Sequence, residues 1–293
     1  MQRISGFLYR HPRSRLGLLL GPGVFWLLVF YLTALSLLML TSFWQQDPFT
    51  AELVHKWTFK NYTKLFSGNE GLWLRIFFRT VLLATIVTLI DICLALPLAW
   101  YMARIAAPKW RTLLFLLVVV PLWSSLLVRI FAWRTILGSS GVINGFLTSI
   151  GVIDHPSSAF LYNEKAIAIA WCYVWLPFMI LPIYTAFEKI PDSVIEASRD
   201  LGAKSFTTFR KVILPIATPG IVAGSLFVFA LTMGDFVAPS LVGGGEQVLG
   251  GAIKDRFGVA ADFPFGAALA SLTLLTLCVF MAISRRTGAL ENT

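Results

Sequence analysis

Apolar residues gather into six long blocks along this chain of 293 residues, at 16–43, 77–102, 113–136, 166–187, 212–233 and 264–283. A helix needs about 20 mostly apolar residues to cross the hydrocarbon core of a bilayer. Each block supplies roughly that length. Within lipid every backbone donor and acceptor must be paired inside the segment, so the blocks are read as helices rather than open strands. The pattern therefore predicts an all-α, polytopic membrane protein with six transmembrane helices. Pro97, Pro121, Pro177, Pro182 and Pro219 fall inside the blocks. Proline is tolerated in membrane helices and bends them.

Composition agrees with a lipid solvent. Apolar residues make up 57% of the chain and charged residues only 13%, against about a quarter charged in soluble domains. The formal net charge is +9, which by itself would suit nucleic acid or an acidic membrane surface. The distribution of the charge decides. Segments 1–15, 103–112, 188–211 and 284–293 hold 14 of the basic residues, whereas the segments on the other side of the blocks hold 8. Acidic residues show the reverse bias. That asymmetry is the positive-inside signal. It predicts that both termini are cytoplasmic, and it accounts for the basic excess without nucleic acid.

Arg3, Arg10, Arg13 and Arg15 precede the first block. The block is about twice as long as the apolar region of a signal peptide, so it is read as a retained membrane helix. Cys93, Cys172 and Cys278 each lie within apolar sequence, without metal-ligand spacing, and read as small buried residues.

The connection between the fourth and fifth blocks is long and structured. It reads EKIPDSVIEASRDLGAKSFTTFRKV and continues into ILP. Pro191 and Asp192 suit a helix start. Val194, Ile195, Ala197, Ser198 and Leu201 form one apolar or small face. Gly202 suits a left-handed helix end. Ser205 can cap a second short helix carrying Phe206 and Phe209, and Pro215 marks where the fifth span begins. Two short helices of this kind can dock into a partner's groove or lie on the lipid surface. The residues alone leave both open.

The stretch Glu196-Ala197-Ser198, three residues, Gly202, nine residues, Val212-Ile213-Leu214-Pro215 resembles the EAA motif of type I ABC importer permeases. That pattern is Glu-Ala-Ala, x3, Gly, x9, Ile-x-Leu-Pro. Ser198 and Val212 are conservative departures from it. Further segments look like the spermidine/putrescine, PotB/PotH-like branch of that family. They are NYTKLF at 61–66, LPLAWYMAR at 96–104, VVVPLWSSLLVRIFAW at 118–133, VWLPFMILPIYTAFEKIP at 174–191 and FGAA at 265–268.

The resemblance implies a MetI-like permease fold in the bacterial inner membrane, with a cytoplasmic segment 1–15, one permease domain 16–293 and a coupling loop 188–215. It implies that Glu196, Ala197, Ser198, Asp200, Gly202, Ala203, Phe206, Leu214 and Pro215 meet an ATPase. The implied partners are two copies of an ATP-binding subunit, a second homologous permease and a periplasmic substrate-binding protein. ATP and Mg²⁺ would sit on the ATPase, with no cofactor on this chain. In agreement, the sequence has no Gly-x4-Gly-Lys-Ser/Thr phosphate loop and no Ser/His/acid or Cys/His set, so no covalent chemistry is assigned.

A charge at membrane depth costs about 2.5–3.5 kcal/mol, so such residues are candidates for function. Asp91 lies mid-block. It could meet a cationic substrate, or pair with Arg129 or Arg134. Asp235 and Asp255 could form a cation-attracting mouth, with Glu246 and Asp262 read as solvated. Trp123, Trp171, Tyr173 and Trp175 could hold ammonium groups by cation–π contact or anchor the membrane interface. Trp123 is singled out because it follows Pro121. The competing class is an ion-gradient-driven secondary transporter, whose inverted repeats are not visible here. The substrate could also be another small solute, such as an opine.

Overall fold

The computed structural model describes residues 12–47, 50, 52–67, 71–245 and 247–286. Arg3, Arg10, His11, Glu246 and residues 287–293 lie outside the described residues, so neither terminal segment is placed. Helix α1 (Pro12–Thr41) leads to a two-residue antiparallel hairpin, β1 (Gln45–Gln46) with β2 (Leu53–Val54). Helix α2 (Lys60–Ser67) and the long helix α3 (Leu72–Trp100) follow, and α3 runs into a π turn at Tyr101–Ile105. Helices α4 (Pro108–Val119), α5 (Leu126–Leu137) and α6 (Val142–Ser149) precede α7 (Glu164–Glu188). The chain then forms α8 (Asp192–Asp200), α9 (Ser205–Thr208), a π turn at Phe209–Ile213 and α10 (Leu214–Gly234). Short helices α11 (Val237–Val242) and α12 (Leu249–Phe257) lead to α13 (Phe263–Arg286).

Six helical stretches among the described residues are long and apolar enough to cross a membrane. Five fall where the apolar blocks placed them. The third differs. The expected continuous helix over 113–136 is interrupted by a 3₁₀ turn at Val120–Trp123, which separates α4 from α5. At 12 residues each, neither helix reaches the ~20 needed to span alone. A further apolar unit, Leu126–Ser149, joins α5 to α6 across a turn at 138–141, while α4 with α5 follows α7 from Tyr184 through Val174 to Tyr162, just ahead of its start. Pro121 alone does not explain the break, because Pro97, Pro177, Pro182 and Pro219 all sit inside continuous helices. Ser124 supplies the difference. Its backbone N–H and its hydroxyl both donate to the Pro121 carbonyl, at 3.2 and 2.7 Å. A serine that hydrogen-bonds nearby backbone competes with helix propagation.

Helix α7 is the centre of the bundle, with α3 and α10 packed against it. It starts cleanly because the Asn163 side chain accepts the Ala166 N–H at 3.0 Å, a standard N-cap. In lipid, apolar faces gain nothing by leaving water, so helices associate through close packing and hydrogen bonds. Gly220 and Gly224 provide the close packing. A Cβ on Gly220 would lie 2.5 Å from the Ala186 Cβ, and one on Gly224 would lie 2.8 Å from the Met179 sulfur. Small residues four apart let α10 approach α7 backbone to backbone. On the opposite end of the bundle from residues 188–215, the Thr80 hydroxyl accepts the Leu249 N–H at 3.0 Å, which ties α3 to α12.

Candidate functional site

The connection after α7 forms a compact projection. The helix start expected at Pro191 and Asp192 is observed, with Pro191 at the N-cap position of α8 and Asp192 its first helical residue. Helix α8 ends as expected on Gly202, with φ +78. The Gly202 N–H donates to the Arg199 carbonyl at 2.8 Å, and the Ala203 N–H donates to the Ser198 carbonyl at 3.1 Å. These two bonds are a Schellman motif, in which glycine takes the left-handed position without a Cβ clash. The Ser198 hydroxyl lies 3.0 Å from the Thr208 hydroxyl and clips α8 to α9.

The second expected helix is not a separate element. Lys204 stands at its N-cap position, without side-chain capping, and Ser205 is already helical. From Ser205 the chain stays helical to Gly234. Pro215 therefore lies inside a continuous helix rather than at its start. The π turn at Phe209–Ile213 makes this feasible, with the Leu214 N–H donating to the Phe209 carbonyl. A proline ring clashes with the carbonyl four residues back, and the wider turn relieves that crowding.

The projection is anchored from beneath. Ile195 and Phe209 pack on the core. The Trp100 ring lies 5.3 Å from Phe187 and 5.8 Å from Phe209, both edge-on. Arg104, in the first π turn, donates from Nε and Nη2 to the Phe187 carbonyl at 3.1 and 2.6 Å. Its Nη2 also donates to the Ile190 carbonyl, and Nη1 reaches Asp192 Oδ1 at 2.7 Å. The outer side is open. Glu196, Ala197, Asp200 and Gly202 are exposed, while Leu201 is 89% and Phe206 74% exposed. Ser198 and Ala203 are half-buried, as is Leu214. A cleft of about 630 Å³ runs between α8 and α9, lined among others by Trp100, Ile195, Glu196, Phe206 and Phe209.

The residues singled out at membrane depth do not converge. Asp91 on α3 is fully buried. Neither alternative arginine pairs with it: Arg129 donates to the Val174 carbonyl at 3.3 Å and Arg134 to the Tyr162 hydroxyl at 3.2 Å. The Cys172 thiol lies beside Asp91, and among the described residues no stronger donor reaches either carboxylate oxygen. Asp235 is held by three bonds. It accepts from Trp171 Nε1 at 2.6 Å and from the Val237 and Ala238 N–H groups at 2.8 and 3.2 Å, so it orients the start of α11. Asp255 is exposed on α12, beside a small pocket that contains Phe236 and Lys254.

Trp123 is 82% exposed, at the break between α4 and α5, with Ser124 and Ser125 also exposed. Two contacts fix the depth of this break against α7. Phe115 meets Tyr184 at 6.0 Å on one side, and Arg129 meets Val174 on the other. Val174 and Tyr184 bracket the middle of α7.

The family described as binding-protein-dependent transport system inner membrane component matches residues 70–287. The chain belongs to that family. The permease is 35% identical to the inner membrane ABC transporter permease protein YdcU of Escherichia coli strain K12, over 99% of this chain and 95% of that protein. It is 38% identical to the spermidine/putrescine transport system permease protein PotB of Haemophilus influenzae, over 91% of this chain and 92% of that protein. Its fold matches a solved bacterial alginate ABC transporter in complex with an alginate pentasaccharide-bound periplasmic protein. There the TM-score is 0.71 at 16% identity, with 96% of each chain covered. The protein is thus a multi-pass membrane protein and an ABC importer permease subunit, and its relatives are non-catalytic transport subunits.

The sequence pointed to Trp123 but not to the break beside it, and it missed Arg104. Arg104 stood within LPLAWYMAR, yet its acceptors are carbonyls more than 80 residues away, which no spacing encodes.

Proposed function

We propose that this permease carries a small cationic solute of the polyamine class into the cytoplasm of a bacterium, with energy from an ATPase docked on residues 188–215. The observation that carries the reading is the pair of large apolar side chains, Leu201 and Phe206, held outward on a rigidly anchored helix-glycine-helix projection. An exposed apolar pair on an ordered support suits insertion into a partner's groove. Glu196, Asp200 and Gly202 form the contact surface, Ser198 and Ala203 brace it, and Leu214 and Pro215 carry it into the fifth span. Residues 1–15 and 188–215 are cytoplasmic, and 16–293 is one permease domain in the inner membrane. Two ATP-binding subunits hold ATP and Mg²⁺, a second homologous permease completes the channel, and a periplasmic binding protein delivers the solute.

The polyamine assignment draws on the PotB relative at 38% identity. It is supported by the break at 120–125. Irregular backbone is tolerated at membrane depth only where protein covers it or water lines it. Here Trp123 offers an exposed ring to an ammonium group. Asp91, Asp235 and Asp255 are the acidic residues proposed for the path, and Asp235 is the one already engaged by three donors. The test is reconstitution of the four-component transporter in vesicles with labelled putrescine or spermidine. ATP-dependent, binding-protein-dependent accumulation is expected. Uptake that survives ATP depletion and collapses with an uncoupler would overturn the ATP-driven reading.

A further inference from the structure

We infer that Arg104 is a positioning residue for energy coupling, because it joins the projection rigidly to two membrane helices at once. The inference rests on the docking of α8 proposed above. Four parts of the chain meet at this guanidinium: the end of α3, through the π turn that carries Arg104; the last turn of α7, through the Phe187 carbonyl; the connection after α7, through the Ile190 carbonyl; and the first residue of α8, through Asp192. The Arg104 side chain is only 14% exposed, while that of Asp192 is 82% exposed.

The chemistry makes the two halves of the contact unequal. The final carbonyls of a helix have no partner within it, and a cation there also meets the negative end of the helix dipole. Arg104 takes the Ile190 carbonyl and reinforces the Phe187 carbonyl, which also accepts the Ile190 N–H, in a nearly water-free position. Arginine's planar fork can reach two carbonyls and a carboxylate together, which a lysine ammonium on a flexible stem cannot hold in one geometry. The Asp192 arm faces solvent, where an ion pair contributes little. The carbonyl arms therefore fix the path by which the end of α7 leads into α8.

Between them lies a short connection, Lys189–Pro191, held by backbone turns, by the buried Ile190 side chain and by the Arg104 bond to the Ile190 carbonyl. Without Arg104 that connection keeps its turns and the Ile190 packing but loses its side-chain hydrogen bond from the end of α3. A push on α8 would bend it and would not reach the α3–α7 interface. With Arg104 in place, α8 cannot rotate without carrying the ends of α3 and α7. The π turn matters to this arrangement, because the extra residue in a π turn changes the direction in which the following side chains project.

The experiment uses the full transporter in vesicles and compares the wild type with Arg104→Gln, Arg104→Lys and Asp192→Asn. The readouts are solute transported per ATP hydrolysed, co-purification of the ATPase, and crosslinking of Ala197→Cys to the ATPase. Arg104→Gln and Arg104→Lys are expected to keep ATPase binding and hydrolysis while transport per ATP falls by about 5- to 150-fold, the usual span of coupling between two sites. Asp192→Asn is expected to stay near wild type. An unchanged ratio in Arg104→Gln overturns the inference, as does loss of ATPase binding together with transport, which would make Arg104 merely structural. Absent crosslinking in the wild-type background would instead overturn the docking reading, and would be distinguishable from either result.

Discussion

Two interruptions of helical structure invite comparison: the projection at 188–209 and the break at 120–125. Both contain proline, serine and large aromatics. The projection satisfies its own polar groups. Its helix end is closed by two backbone bonds across Gly202, its two helices are clipped by Ser198 and Thr208, and Arg104 takes the carbonyls beneath it. The break leaves its turn open at mid-depth, with Trp123, Ser124 and Ser125 exposed. The first is built to keep its shape under load. The second bonds Ser124 back to its own Pro121 carbonyl but leaves the Trp123 ring and the Ser125 side chain facing outward. In a membrane no bulk water fills such gaps, and the proposed function gives the closed part the load and the open part the contact with solute.

The comparison can be broken by removing the rigid frame on which both depend. Gly220→Val places a branched side chain where a Cβ alone already meets Ala186 and the Pro182 carbonyl at 2.5 and 2.6 Å. Overpacking costs about 1–3 kcal/mol even where side chains can yield, and here backbone must move. Loss of assembled protein from the membrane is expected, measured by detergent extraction and size-exclusion profile.

Next in size are changes to the projection's outer surface. Glu196→Lys and Gly202→Asp should lower transport by about 5- to 150-fold while membrane insertion persists. Gly202→Asp acts by a separate route, because its φ of +78 is strained for a residue with a Cβ although open space surrounds it. Full transport in either variant would remove the projection's special status. At the break, Trp123→Ala should raise the half-saturating solute concentration by about 2- to 30-fold, the equivalent of ~0.5–2 kcal/mol of cation–π attraction. Trp123→Phe should recover part of it. Equal behaviour of the two variants would show that the ring meets lipid or protein rather than a cation.

The smallest effect sharpens the comparison. Ser198→Ala restores the residue most often found at that motif position, yet it removes the bond to Thr208. A loss of about 0.5–1.5 kcal/mol in stability is expected, read by thermal unfolding, with transport largely retained.

Much of the fold was legible because lipid imposes simple rules. Length and apolarity placed five of six spans, and Gly202 declared a left-handed helix end through residue type alone. The break inside the third span was missed because Pro121 looked like four other prolines that helices absorb, and the deciding bonds come from Ser124. The α7–α10 contact could have been suspected from Gly220 and Gly224 at small-residue spacing. Asp235 had a readable rationale as a helix-start acceptor, but its Trp171 partner lies 64 residues away. Arg104 was illegible for the same reason: its partners are backbone carbonyls, which carry no residue identity.

The unbroken helix from Ser205 to Gly234 has a mechanical consequence. At 30 residues it is a rod about 45 Å long, taking 1.5 Å per residue. Phe206 stands near one tip, and Asp235 with its tether to Trp171 stands at the other. Pivoted near its middle, with arms of roughly 22 Å, such a lever turns a tilt of about 5° into opposite swings of roughly 2 Å at its two tips. The fulcrum is Gly220, where the rod presses against its neighbour without side chains between them.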